Sequence, residues 1–240
     1  MFSLSGKTAV ITGGASGIGY AIMQRFARAG ASCIVGDLSD APDQTFPENV
    51  KYLKTDVTNE NSVKSLLEHA HSEFGRLDIL INNAGVFSGY NEIKECTEAD
   101  FDFCYRVNTL GPAFGIKHAS TLMQDGGTIV TIASLAGLRG VETIAPYVAS
   151  KHAVVGLTKT AALELAGRNI RVNCICPSTV MTSMAYDKEG EAFLQSEVSK
   201  IPMGRVAEAE EIAALAHFLS ADDCCFLTGQ AINVSGGMVT

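Results

Sequence analysis

The stretch YVASK, residues 147–151, places a tyrosine and a lysine four positions apart. On a helix that spacing puts both side chains on one face. A tyrosine so placed is a candidate acid/base. Its ordinary pKa of about 10 is too high for proton abstraction near neutrality, and a neighbouring ammonium favours the phenolate and draws that value down. The same spacing recurs in YNEIK, as Tyr90 and Lys94, so the surroundings must choose. Tyr147 and Lys151 open PYVASKHAVVGLTKTAALELAG, a helical run with Pro146 suited to its first turn. Tyr90 and Lys94 fall in VFSGYNEIKECT, a polar stretch with a glycine just before the tyrosine. It reads as a loop, where the spacing does not bring the side chains together. Tyr147 is the expected acid/base and Tyr90 a decoy. The run GTIVTIAS reaches Ser134 thirteen residues before Tyr147, so a strand end and a helix start can converge on one pocket.

Two further features bear on chemistry. Asn108 lies in YRVNTLGPAFGIKHAS, a helical run interrupted by Gly111 and Pro112. Proline has no N–H, so the carbonyl four residues earlier, that of Asn108, loses its helical donor. The segment TAVITGGASGIGYAI reads as strand, glycine turn and helix. Gly13, Gly17 and Gly19 permit a tight turn and close approach of backbone to a pyrophosphate, which then sits on the helix N-terminus. Eighteen residues after Gly19 the next strand ends at Asp37. A carboxylate there can hold a ribose 2′-hydroxyl.

The elements that position these residues follow from periodicity. The apolar, β-branched runs TAVITG, SCIVGD, LDILINN, GTIVTIAS, IRVNCICP and QAINVSGG alternate with helical stretches such as IGYAIMQRFARAG and ENSVKSLLEHAHSEFG. Strands apolar on both faces, alternating with helices, predict an α/β fold: one Rossmann-like domain over residues 1–240, a doubly wound parallel sheet with helices on both faces. One segment breaks the rhythm. Residues 178–203, polar and Met-rich, follow IRVNCICP and read as a mobile lid at the carboxyl edge of the sheet.

Composition narrows the function. A net charge of −8 argues against a nucleic-acid or anionic-membrane partner, which needs a basic face. No apolar run approaches the roughly 20 residues that span a bilayer, and MFSLSGKTAV has no signal-peptide pattern. The seven cysteines sit mostly in apolar runs, which reads as reduced interior thiols of a cytoplasmic protein. No metal site is expected. His69 and His71, two apart on a helical stretch, point to different faces.

With these residues in place, the chain resembles the short-chain dehydrogenase/reductase family, of the typical single-domain type, over essentially its whole length. TGGASGIG (12–19) resembles the family's cofactor turn, Asp56 and Val57 its adenine contact, and NNAG (82–85) the segment closing the cofactor crevice. Val107–Asn108, Ser134 and YVASK resemble the catalytic positions, in the family's order. The resemblance implies hydride transfer between NAD and a secondary alcohol or ketone. Tyr147 is then the acid/base and Ser134 orients the substrate oxygen. Lys151 also hydrogen-bonds the nicotinamide ribose, and the Asn108 carbonyl holds a water. Cofactor contacts are implied for Gly13, Ser16, Gly17, Ile18, Gly19, Asp37 and Leu38. They are implied also for Asp56, Val57, Asn83, Ala84, Gly85, Tyr147, Lys151, Pro177, Val180 and Thr182. NAD is expected over NADP, because Asp37 repels a 2′-phosphate and no Lys or Arg stands in the turn or just after Asp37. A homotetramer, or failing that a dimer, is implied, and a 3-oxoacyl reductase is the alternative activity. A sensor that has lost catalysis would show damage at Asn108, Ser134, Tyr147 or Lys151, and all four are present. Leu135, Ala136, Arg139, Val141 and Tyr186 are candidate substrate contacts. Two departures stand out: Ser178 follows Pro177 where the family has Gly, and Ser235 precedes Gly236–Gly237 where it has Asp.

Overall fold

The apolar runs form strands because their side chains find cover on both sides. The computed structural model describes residues 2–40, 46–182 and 194–239. The strands are β1 (Thr8–Thr12), β2 (Ser32–Asp37), β3 (Val50–Lys54), β4 (Ile79–Asn82), β5 (Thr128–Ile132), β6 (Arg171–Pro177), the short β7 (Val180–Met181) and β8 (Ala207–Glu208), and β9 (Ala231–Val234). Seven of them make a parallel sheet in the order β3-β2-β1-β4-β5-β6-β9. Alternate residues of each strand enter different cores. Ala9 and Ile11 of β1 pack with Ile22, Met23 and Phe26 of helix α1 (Gly17–Arg28) and with Ile212, Ala213 and Ala216 of the last helix, Ala209–Ser220. Val10 turns the other way, toward Val63, Leu66 and Leu67 of α2 (Glu60–Phe74) and Ala119 of α4 (Gly111–Leu122). The doubly wound sheet is as expected.

β3 is absent from the apolar runs of the sequence for a physical reason. Its residues, VKYLK, carry two lysines that break up the apolar run, as suits an edge strand. Its register sets Lys54 opposite Asp37, a neighbour invisible in sequence.

The kink foreseen at Pro112 takes a different form. Helix α3 (Glu98–Tyr105) runs into a π-helical turn, Arg106–Leu110, and on into α4. Gly111 N–H donates to the carbonyl of Arg106, five residues back. In that register the carbonyl facing Pro112 belongs to Val107, so the four-back count that singled out Asn108 does not carry over. Single π turns of this kind widen a helix where a side chain must be aimed.

The chain reverses strand order between β1 and β4, and the crevice at their carboxyl ends is where ligands bind in such sheets. Of the lid, 183–193, including Tyr186, lie outside the described residues. Val180–Met181 pairs with Ala207–Glu208, 194–200 are helical, and Leu194, Ile201 and Val206 form a small core of their own.

Candidate active site

A cavity of about 1110 Å³ opens along the carboxyl edge of the sheet. At its base stand Tyr147 and Lys151 of YVASK. Helix α5 (Ala145–Leu165) begins with Pro146 in its first turn, so Tyr147 projects from the helix start and Lys151 from the next turn. Lys151 Nζ lies 5.5 Å from the centre of the Tyr147 ring and donates to the Ile132 carbonyl at 3.0 Å. Ser134, just past β5, hydrogen-bonds the Tyr147 phenol. Its hydroxyl oxygen also accepts from Ala136 N–H at 3.1 Å, which fixes its orientation.

Burial, not the lysine charge, dominates the electrostatics. It pushes the Tyr147 phenol above its ordinary value, the Ser134 hydrogen bond acting against it. Burial also draws the Lys151 ammonium down from 10.5 to about 8. The expected drop of the tyrosine pKa is thus outweighed here by desolvation of both groups.

Asn108 does not face the cavity; it is buried behind it, with 1% of its surface exposed. Its amide grips the chain after β4, accepting from Val86 N–H at 2.8 Å and donating to the Val86 carbonyl at 2.9 Å. It also donates to Ser150 Oγ at 3.1 Å, and Ser150 donates in turn to the Tyr147 carbonyl at 2.8 Å. Asn108 therefore ties one cavity wall to the turn that carries Tyr147. In the other YxxxK copy, Lys94 is ion-paired to Glu92 at 2.6 Å on the surface. Tyr90 nonetheless lines the cavity, with its ring edge-on to Phe87.

The far arm of the cavity fits a dinucleotide. Gly13 has φ +65°, and a Cβ there would come 2.8 Å from Ala84 Cα, so only glycine lets the turn pass so close to the NNAG segment. Asn83 locks that contact, donating to the carbonyls of Thr12 and Gly13 at 3.0 and 2.8 Å. Gly19 does not line the cavity. A Cβ on it would meet the Gly13 carbonyl, so its role is close helix–turn packing. Ser16 caps α1 without a side-chain hydrogen bond, and no acid stands in the first turn, so amides and positive dipole end are available to a phosphate. Asp37 accepts from Ala15 N–H at 3.0 Å and from Ser39 Oγ at 2.9 Å. It braces the glycine turn as well as facing the cavity. Asp56 is fixed by Thr58, whose N–H and hydroxyl donate to it at 2.9 and 2.7 Å.

The cavity brings together Gly13, Ser16, Gly17, Ile18, Asp37 and Leu38 with Asp56, Val57, Asn83, Ala84 and Gly85. At its base and lid side it adds Ser134, Tyr147, Lys151, Pro177, Val180 and Thr182. Leu135, Ala136, Arg139 and Val141 line it as expected. Phe87, Phe103, Thr143 and Met238 line it too. Sequence reasoning missed them because no local pattern marks an apolar residue that faces a cleft instead of the core.

The comparisons with known proteins agree with this geometry. The family profile described as Enoyl-(Acyl carrier protein) reductase matches residues 13–239. The chain is 39% identical to momilactone A synthase of Oryza sativa subsp. japonica over 98% of this chain and 90% of that one. It is 37% identical to a 3-oxoacyl-[acyl-carrier-protein] reductase of Thermotoga maritima over 98% and 99%. The chain belongs to the short-chain dehydrogenase/reductase family. Among solved members, the 3-ketoacyl-(acyl-carrier-protein) reductase from Brucella melitensis complexed with NADH superposes with a TM-score of 0.89 at 30% identity, covering 98% of this chain and 99% of that one. As a short-chain dehydrogenase/reductase the protein is an oxidoreductase. Its two departures are absorbed by backbone contacts. Ser178 N–H donates to the Val234 carbonyl at 3.0 Å, and Ser235 Oγ and Val239 N–H lie 3.4 Å apart. Among the described residues no helix is long and apolar enough to cross a membrane, and no group of three or more His, Cys, Asp or Glu is placed to hold a metal ion.

Proposed function

We propose that this short-chain dehydrogenase/reductase is an NAD-dependent dehydrogenase of a secondary alcohol, or the reductase of the matching ketone, with Tyr147 as acid/base. The observation that carries the reading is the joining of Ser134, Tyr147 and Lys151 to Asp37 through one continuous cavity. A bound nicotinamide supplies the hydride acceptor or donor. The chain's own residues handle the proton. The Tyr147 phenol oxygen takes it from the substrate hydroxyl in oxidation and returns it in reduction, and Ser134 donates to the substrate oxygen and orients it. Lys151 stabilises the phenolate and can reach a ribose hydroxyl. Asn108 keeps the wall and the first turn of α5 in register.

NAD over NADP is supported by charge. The Asp37 carboxylate can accept from ribose hydroxyls and faces a 2′-phosphate as a like charge. Lys54, set opposite Asp37, is held by Asp40 at 2.7 Å. We expect kcat/KM to favour NAD over NADP, and Asp37→Ala with Leu38→Arg to shift the preference toward NADP, since Arg can pair with a phosphate. A wild-type preference for NADP sinks the cofactor assignment. Asp37 also braces Ala15, so the pair of changes should reduce thermal stability slightly.

The 3-oxoacyl alternative gains support from the Thermotoga maritima relative. Against it, two of the rim cations, Arg106 and Lys200, are ion-paired, to Asp102 and Glu197 at 2.7 and 2.6 Å, while the third, Arg139, reaches Met238 Sδ at 3.3 Å. Seven free cysteines support a reducing compartment such as the cytoplasm, and the family pattern supports a homotetramer, which light scattering would test.

A further inference from the structure

We propose that Thr143 is a specificity-determining residue. Its methyl group forms, with Phe87 and Tyr90, an apolar wall that selects ketones and secondary alcohols with a bulky alicyclic flank over polyhydroxylated ones. The inference rests on the dehydrogenase reading above. Thr143 has φ +66°, a left-handed conformation that a β-branched residue adopts only when its surroundings hold it there. The holding contacts are plain. Asn91 N–H donates to the Thr143 carbonyl at 2.7 Å, and Asn91 pairs with Ile144 as a parallel bridge. Ile144 is the N-cap of α5, three residues before Tyr147. The strained turn is thus pinned between the 86–91 loop and the start of the helix that bears the acid/base.

The same loop is gripped at its other end, where Asn108 holds both backbone groups of Val86. Between the two clamps the aromatic rings are ordered. Phe87 and Tyr90 stand 4.9 Å apart at 68°, and Phe87 meets the Tyr147 ring at 5.6 Å and 82°. Phe87, Tyr90, Thr143 and Tyr147 all line the cavity. The Thr143 hydroxyl donates to the Glu142 carbonyl at 2.7 Å, so its proton is engaged within the chain, and the methyl is the apolar part of its side chain. An alicyclic ring laid here exchanges water for dispersion contact. A polyol would turn hydroxyls toward ring faces and a methyl, where their lost water is not replaced. Glycine would adopt this φ without strain, yet a threonine stands there, at the cavity wall.

The test uses wild type, Thr143→Ser and Thr143→Gly, with NADH and two ketones: 2-decalone for the alicyclic class and 1,3-dihydroxyacetone for the polyhydroxylated one. Thr143→Ser removes the methyl and keeps the hydroxyl; Thr143→Gly removes the side chain and the strain. Wild type is expected to favour decalone roughly 10- to 100-fold in kcat/KM. Both variants are expected to raise KM for decalone about tenfold while kcat stays within about threefold. NADH affinity should be unchanged, and Thr143→Gly should melt no lower than wild type, which separates the effect from unfolding. A decalone KM in Thr143→Ser within about twofold of wild type, or a wild-type preference for dihydroxyacetone, overturns the role of Thr143 and leaves the dehydrogenase reading standing. Binding of NADH with reduction of neither ketone overturns both.

Discussion

Replacing Tyr147 by Phe is expected to lower kcat by about 10²- to 10⁴-fold, the range that a lost acid/base group costs, while NADH binds as before. The change is narrow. The Phe ring keeps its edge-on contact with Phe87 and its place under Lys151 Nζ, at 5.6 and 5.5 Å; what disappears is the hydroxyl and its hydrogen bond with Ser134. Steady-state turnover with any accepted substrate reads the first effect, and fluorescence titration with NADH the second. Tyr90→Phe is the control. It keeps the ring that packs on Phe87 and removes only a hydroxyl from the cavity wall, so its effect should stay within a few-fold. A crippled Tyr90→Phe beside an active Tyr147→Phe would move the chemistry to the other wall of the same cavity and refute the assignment.

What could be read in the sequence is what local chemistry dictates. The glycine turn, the apolar runs and the helix that begins at Pro146 each carry their signal within a few residues. Six of the seven sheet strands are therefore visible, and the seventh, VKYLK, is hidden because the two lysines of this edge strand break up its apolar run. Residues joined by long-range contacts were not legible. Lys54 reaches Asp37 only through strand register. Asp37 braces Ala15 across the first crevice, so a residue chosen for its charge is structural as well. Asn108 was singled out by counting back from Pro112, yet the π turn changes the count, and its side chain, not its carbonyl, shows the plainer role. Phe87 and Thr143 had no signal because a wall facing a cleft looks, in one dimension, like any loop. The sign of the Tyr147 shift also escaped sequence reasoning. A lysine one turn away implies a lowered pKa, but how much water both groups lose is decided by the packing around them.

That desolvation carries the second large expectation: Lys151→Met should abolish useful turnover and yet make the protein more stable at pH 7. Lys151 is buried, with 4% of its surface exposed, and its ammonium is drawn down from 10.5 to about 8 by burial. At about 1.4 kcal/mol per pH unit, that difference corresponds to about 3 kcal/mol by which folding disfavours the charged lysine. Methionine fills a similar volume without the charge. It cannot donate to the Ile132 carbonyl, which Lys151 reaches at 3.0 Å, and that loss offsets about 1 kcal/mol. A net gain of about 2 kcal/mol remains, or roughly 4–8 °C in Tm for a chain of this size. The pH dependence fixes the cause. The folded value lies below the unfolded one, so below pH 8 both states hold the proton and the wild-type fold bears the full penalty. As pH rises from about 8 toward 10.5 the folded state releases its proton first, the penalty fades, and wild type gains on the variant. Groups held at such a cost are found where chemistry needs them, which is why stabilising them away removes activity. Calorimetry of both proteins at pH 7 and pH 9.5 decides it: a variant less stable at pH 7, or an advantage that widens at the higher pH, would show that Lys151 is held there by favourable interactions instead of against its desolvation.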